Sequence, residues 1–275
     1  MDDSDEYSKL ARNQTDPIWI QDHFLETGHN ADTRNGTVSF VLFQNRQFAV
    51  TCNHVKKDAD NPKSVPGASH PTHALCVDRA FLNLSFFSAT GLQSILTSPS
   101  PQDGTSGIDV AIAELTGSYW NLLAHRKDKT AIDLDNWREP DWQAVTQVYV
   151  AGYPNKPKEV NNIEDMQMVS TKMASVIIDL TDPPSAEDRI FHLHNRFEDP
   201  HDFYFSGMSG GVAYTIETDG LIPAGIVFEA YPSSELSDLN REENPIFDKH
   251  DIFFRAYKLT PVIFKEWLQQ ANLID

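Results

Sequence analysis

The chain has 275 residues, 40% of them hydrophobic, 11% aromatic and 23% charged, a balance that excludes fibrous, low-complexity and membrane-embedded classes. This length suits either one large β unit or two small lobes that share an interface. Acidic residues outnumber basic ones 40 to 22, and the formal charge of −18 repels phosphate backbones and anionic lipid, so neither nucleic acid nor membrane is an expected partner. Cys52 and Cys76 are the two cysteines, a usage that suits a reducing compartment. MDDSDEYSKLARNQTD has neither a basic n-region nor an apolar h-region, and no apolar run approaches about 20 residues, so a cytoplasmic location is expected.

Residues 1–30 are acidic and polar around one apolar patch, Trp19 and Ile20, suited to dock as a surface strand or short helix, and read as an N-terminal extension. A first lobe is expected over 31–125. TVSFVLF and QFAVTC, separated by Gln44, Asn45 and Arg46, have the β-branched and aromatic content of a hairpin. The Pro-, Asp- and Gly-containing stretch from Lys56 to Ser69 reads as a surface loop, after which HALCVDR and FLNLSFFSA resume the strand pattern. PSPQDGTSG then leads into DVAIAEL, a buried-strand pattern with Asp109 at its start. The polar stretch 126–144, with Pro140, is the predicted linker. A second lobe, 145–260, contains VTQVYVAGYP, MVSTKMASVIIDL, the alternating FHLHNRF, and GGVAYTIE joined to LIPAGIVFEAY through Thr218, Asp219 and Gly220. Residues 261–275 close the chain as a helix, with Thr260 as N-cap and Pro261 at the first helical position.

Three local patterns carry candidate chemistry. In FYFSGMSGG, Ser209 lies between glycines. A serine hydroxyl is a weak nucleophile unless a tight turn presents it to a base and to backbone N–H donors. The amides of Gly207 and Ser209 are the candidate oxyanion-hole donors, set against the plainer reading of a glycine-rich turn. FAVTCNHV delivers His54 just beyond an apolar strand, and GIDVAIAEL places Asp109 at the edge of another, where a carboxylate needs a hydrogen-bond partner. Taken singly each residue has a structural explanation. Together they occur in the order His, Asp, Ser, one of the few orders in which this machinery is built.

The sequence resembles the trypsin-like, chymotrypsin-fold serine peptidases, in particular bacterial members without disulfides. TCNHV is similar to the family's histidine motif, GIDVAIAEL to its aspartate motif, SGMSGG to its nucleophile motif, and GIVFEAY to the strand that lines its substrate channel. The similarity runs from Gly36 to Leu268. It implies an all-β fold of two antiparallel six-stranded β-barrels with a C-terminal α-helix, and a serine endopeptidase that works through an acyl-enzyme, with His54, Asp109 and Ser209 as triad. It further implies a substrate pocket with Phe203 near its base and Phe228, Glu229 and Ala230 along a wall, a protein or peptide substrate, no cofactor and no metal. Met208 stands where secreted members carry an aspartate that binds a new N-terminus, so activation by that ion pair is not expected. A regulatory protein partner is an expectation by analogy with stand-alone members. Two other readings follow from the same residues. One is a catalytically silent barrel that binds peptides. The other is a metal-dependent hydrolase using His192 and His194, with Asp199, His201 and Asp202 nearby.

Overall fold

The protein, a computed structural model, is described over residues 3–22, 34–58, 71–77, 80–84, 95–100, 107–155, 158–163, 166–200, 204–231 and 250–275. Phe203 and His201, and residues 59–70 of the expected surface loop, lie outside these.

Two curled antiparallel sheets organise the chain. The first follows the order β5-β4-β1-β2-β3-β6, made of β1 (Thr15–Asp22), β2 (Asn35–Phe43), β3 (Arg46–Thr51), β4 (Pro71–Val77), β5 (Ala80–Asn83) and β6 (Ala111–Glu114). A two-residue strand, β7 (Ile132–Asp133), adds to β2 in parallel. Residues 95–97 join the two edges: the Leu96 amide donates to the Leu84 carbonyl, and Thr97 bridges Ile112 of β6. The β2–β3 hairpin turns on Gln44 and Asn45, both at positive φ, and Arg46 already belongs to β3. Asp135 makes this turn tolerable by accepting both turn amides, at 2.6 and 2.9 Å.

The second sheet has the order β11-β8-β13-β14-β15-β12, from β8 (Gln147–Gly152), β11 (Ala174–Asp179), β12 (Ile190–Arg196), β13 (Val212–Glu217), β14 (Gly220–Tyr231) and β15 (Asp251–Lys258). Its edges meet where Leu180 bridges Leu193. A separate hairpin, β9 (Lys158–Ile163) with β10 (Met166–Thr171), projects between β8 and β11 in sequence. The expected double-barrel, mostly antiparallel fold is thus present.

Residues 15–22, read from sequence as part of an extension, are instead an interior strand: β1 pairs with β2 on one side and β4 on the other. The polar flanks of the Trp19–Ile20 patch disguised a strand whose Ile18, Trp19 and Ile20 are all buried. Among the described residues there are also four helices: α1 (Asp3–Gln14), α2 (Asn53–Lys57), α3 (Gly117–Lys127) and α4 (Pro261–Gln270). Helix α4 begins as its sequence dictates, with Thr260 Oγ1 accepting the Ile263 amide at 3.1 Å and Pro261 following the cap. Helices α1 and α4 cover one core fed by both sheets, in which Phe48, Val50 and Ile112 meet Tyr149, Val212 and Tyr214 beneath Ala11, Phe264 and Trp267. The segment 128–146 runs from one sheet to the other. Leu134 donates to the Leu42 carbonyl, and Arg138 pairs with Glu217 and Asp219.

Candidate active site

His54 lies in the first turn of α2, which follows β3 directly. Asp109 precedes β6, the strand paired with β3, so register alone carries its carboxylate to the imidazole. His54 Nδ1 is 2.5 Å from Asp109 Oδ2, and the His54 amide donates to Oδ1 at 2.8 Å. The Asp109 amide in turn donates to the Tyr257 hydroxyl at 3.1 Å. Partial burial alone would push the Asp109 carboxyl up, but the hydrogen bond and charge of His54, with the His54 and Asn53 amides, outweigh it and leave the group below 3.8. This arrangement leaves Nε2 as the unengaged nitrogen of an imidazole whose side chain is 47% exposed.

Ser209 arrives from the other sheet, on the turn that enters β13. Gly207 and Gly210 hold φ of 98° and 94°, a region open to glycine and costly for other residues. A Cβ on Gly207 would sit 2.7 Å from the Asn155 amide nitrogen, and one on Gly210 would collide with the Thr37 carbonyl. The turn meets the His54 region through shared partners. The Val227 carbonyl accepts both the Gly210 amide, at 2.7 Å, and the Cys52 thiol, at 3.3 Å, two residues before His54. Thr51 Oγ1 donates to the Thr37 carbonyl while the Thr37 amide donates to the Ser209 carbonyl. The Ser209 hydroxyl itself makes a long bond, 3.4 Å, to the Phe228 carbonyl, and no hydrogen bond joins it to His54.

The amides of the turn divide into two sets. Those of Met208, Gly210 and Gly211 donate to backbone carbonyls, whereas those of Gly207 and Ser209 have no acceptor among the described residues. In a trans peptide the N–H points away from its carbonyl, so a pinned carbonyl aims the amide on its far side. The Ser206 carbonyl accepts Asn155 N–H at 2.5 Å and the Met208 carbonyl accepts Gly211 N–H at 2.8 Å. Thr37 locks the turn further: its hydroxyl donates to the Gly207 carbonyl at 2.8 Å and accepts the Tyr153 amide at 2.7 Å. N–H groups without a partner in the protein are open to an acceptor from outside it. Thr37 and Asn155 were missed in the sequence because each reads as an ordinary strand or turn residue there.

Of the wall residues, Phe228 stacks on Tyr257 at 4.2 Å between centroids, with the Arg255 guanidinium 5.0 Å over its ring. Glu229 pairs with Arg255 at 2.7 Å, and Ala230 is buried. Phe203 falls outside the described residues. Met208 is fully buried in an apolar cluster of the second sheet, which includes Phe205, Phe191 and Phe254. Cys52 and Cys76 are unbridged.

Among the described residues, one group of three metal-ligating side chains has its ligand atoms within 4.8 Å of one another: Cys52, His54 and Asp109. Their capacity is already committed. Burial pushes the Cys52 thiol well up so that it keeps its proton, and Nδ1 of His54 faces Asp109. His192 and His194 line a cleft of about 490 Å³ with Glu229, Tyr231, Phe253 and Arg255. His192 stacks on Phe253, and His194 Nε2 is held by Asp251 at 2.8 Å. No third ligand joins the pair among the described residues.

No protein-family model matches the chain, and no curated protein matches it. The fold is similar to that of a solved thermostable serine protease, AL20, from an extremophilic microorganism. The match covers 96% of this chain and 99% of that one at 11% identity, with a TM-score of 0.50. A second solved structure, the protease Anisep from Arthrobacter nicotinovorans, matches over 96% of this chain and 98% of its own at 12% identity, with a TM-score of 0.47. The chain therefore has the trypsin-like serine-protease fold.

Proposed function

We propose that this chain is a serine endopeptidase in which Ser209 is the nucleophile, His54 the general base and acid, and Asp109 the group that orients the imidazole and stabilises its charged form. The observation that carries the reading is the pairing of a hydrogen-bonded His54–Asp109 couple with a Ser209 turn whose Gly207 and Ser209 amides have no acceptor among the described residues. In this reading Ser209 Oγ bonds to the scissile carbonyl carbon and its proton passes to His54 Nε2, while the carbonyl oxygen takes up negative charge between the two amides. The C–N bond then breaks and the amine leaves with the proton from His54. Water repeats the sequence on the acyl-enzyme, returning the proton to Ser209.

Glu229 is compensated by Arg255 and Phe228 is capped by Tyr257, so among the described residues the wall formed by 228–230 offers no spare anionic group to a lysine or arginine side chain. An apolar or small P1 residue in a protein or peptide substrate follows. We propose further that the enzyme works in the cytoplasm and, by analogy with stand-alone members of the fold, that a protein partner regulates it.

The long bond from Ser209 to the Phe228 carbonyl supports the second reading, a barrel that binds peptides without cutting them. Fluorophosphonate labelling of the native chain, lost in Ser209→Ala, is the expected result. Absence of labelling in the native chain, or labelling that survives the substitution, overturns the assignment. Mass spectrometry of a peptide library cut by the native chain and spared by Ser209→Ala would give the P1 preference.

A further inference from the structure

In a chain of charge −18, one cleft runs against the overall sign. A cavity of about 640 Å³ lies between α1, the end of α3 and the start of β1, and five cations line it against the carboxylates of Asp16 and Asp128. Two of the five are spent. Lys127 and Lys129 both pair with Asp16, whose side chain is 3% exposed, and Lys129 Nζ also donates to the carbonyls of Arg12 and Thr15. The remaining three, Lys9 and Arg12 on α1 and Arg126 on α3, have no hydrogen-bond or ion-pair partner for their side chains among the described residues. Asp16 thus holds the floor together, and three cations are left over at the mouth.

Guanidinium groups match oxyanions through two parallel N–H donors, and a volume of this size admits a compact ligand. A long polyanion would meet the repulsion of the rest of the surface. Uncompensated cations brought together on two helices repel one another unless an anion joins them. From this convergence of Lys9, Arg12 and Arg126 over a saturated Asp16, we propose that the cleft binds a compact, multiply charged phosphate-type anion.

The cleft is also wired to the Ser209 turn. Its inner wall is Tyr153, whose amide donates to Thr37 Oγ1, the same hydroxyl that donates to the Gly207 carbonyl. Two residues on, the Asn155 amide holds the Ser206 carbonyl. An anion seated against Tyr153 restrains this relay and steadies the turn.

The test uses the full chain carrying Ser209→Ala, so that its outcome is independent of peptidase activity. Inorganic tripolyphosphate titrated by calorimetry at constant ionic strength is expected to bind saturably at one site. Arg12→Gln with Arg126→Gln, which alters side chains that support no bond among the described residues, is expected to weaken it at least tenfold. Amide exchange of residues 153–155 and 206–211 is expected to slow on binding. Heat no greater than that of matched sodium chloride, equal affinity in the double variant, or citrate binding as tightly as tripolyphosphate overturns the phosphate site. Unchanged exchange at 206–211 overturns the link to the turn.

Discussion

Thr37 shows how much of the candidate site rests on a residue that does no chemistry. Its amide, hydroxyl and carbonyl contact Ser209, Gly207, Tyr153 and Thr51, so one residue anchors the Gly207 and Ser209 carbonyls of the turn to β2 and to the residue after β8. Thr37→Val keeps the shape and deletes the hydroxyl, leaving the Tyr153 amide and Gly207 carbonyl without their partner. The expected loss is about 1–3 kcal/mol of stability, read by denaturant unfolding. A fall in kcat with little change in KM is also expected, because the lost order concerns the charged intermediate more than the bound substrate. Asp109 is a second test at this scale. Its carboxyl lies below 3.8, so its pairing with His54 stabilises the fold above the ordinary carboxylate pKa, and this contribution disappears as pH falls through the depressed value. The stability gap between the native chain and Asp109→Asn is therefore expected at pH 5 and should close as the pH drops below 3.8. A gap that widens in acid would show that the carboxylate is not held in its charged form. In peptidase assays the same substitution is expected to cost on the order of 10⁴ in kcat, as it does where a triad imidazole loses its correct tautomer.

Among the elements, the strands carrying the site motifs were legible because their signal is local: QFAVTC, DVAIAEL and FHLHNRF announce their buried faces in a few residues. Helix α4 was legible for the same reason, since Thr260 and Pro261 specify its start and Ile263, Phe264, Trp267 and Leu268 make one buried face. Elements whose stability comes from distant partners were not. β1 contains Asp16 and Pro17, poor strand residues, and survives because Asp16 is paired with Lys127 and Lys129 and because both neighbouring strands bond to it. Helix α1 has a polar sequence whose value emerges only when Ala11 enters the shared core and Gln14 accepts the Tyr214 hydroxyl at 2.9 Å. The residues of the proposed triad were recognisable by motif order, whereas the pinning of the turn by Thr37 and Asn155 depends on sequence separations that no local pattern encodes. The contribution of α4 can be measured. Phe264 is fully buried and meets Phe43, Phe48 and Trp267 edge-on, so Phe264→Ala removes contacts to β2, β3 and its own helix together. The expected cost is about 3–5 kcal/mol, seen as a lowered midpoint in chemical denaturation. A loss under about 1 kcal/mol would mean that α4 is an ornament on the fold.

At the scale of the molecule, each sheet packs an apolar cluster of its own, around Ile18, Phe40 and Leu75 in the first and Phe191, Leu193 and Phe254 in the second, and a further core joins the two. The shared core draws Val41, Phe48, Val50 and Ile112 from the first sheet and Tyr149, Ala151, Val212 and Ile226 from the second, with both terminal helices packed over it. Crossing bonds reinforce the union: Ser39 Oγ donates to the Gly210 carbonyl at 2.6 Å, and Asn35 Nδ2 to the Tyr153 carbonyl at 2.9 Å. Opening one lobe alone would expose the apolar surface of this shared core and break these bonds, which disfavours a state with one intact barrel. Calorimetry is expected to show one transition whose measured enthalpy equals the van't Hoff value, and Phe264→Ala is expected to shift that transition without splitting it. The net charge adds a dependence of its own. With 40 acids against 22 bases, mutual repulsion outweighs the scattered surface pairs, which are individually worth little. Raising sodium chloride from about 0.02 to about 0.3 M shortens the screening length from over 20 Å to under 10 Å. The single midpoint should rise by a few degrees over this range. Two resolved transitions would mean that the lobes fold separately, and a midpoint that falls with salt would mean that ion pairs, rather than burial against repulsion, hold this molecule together.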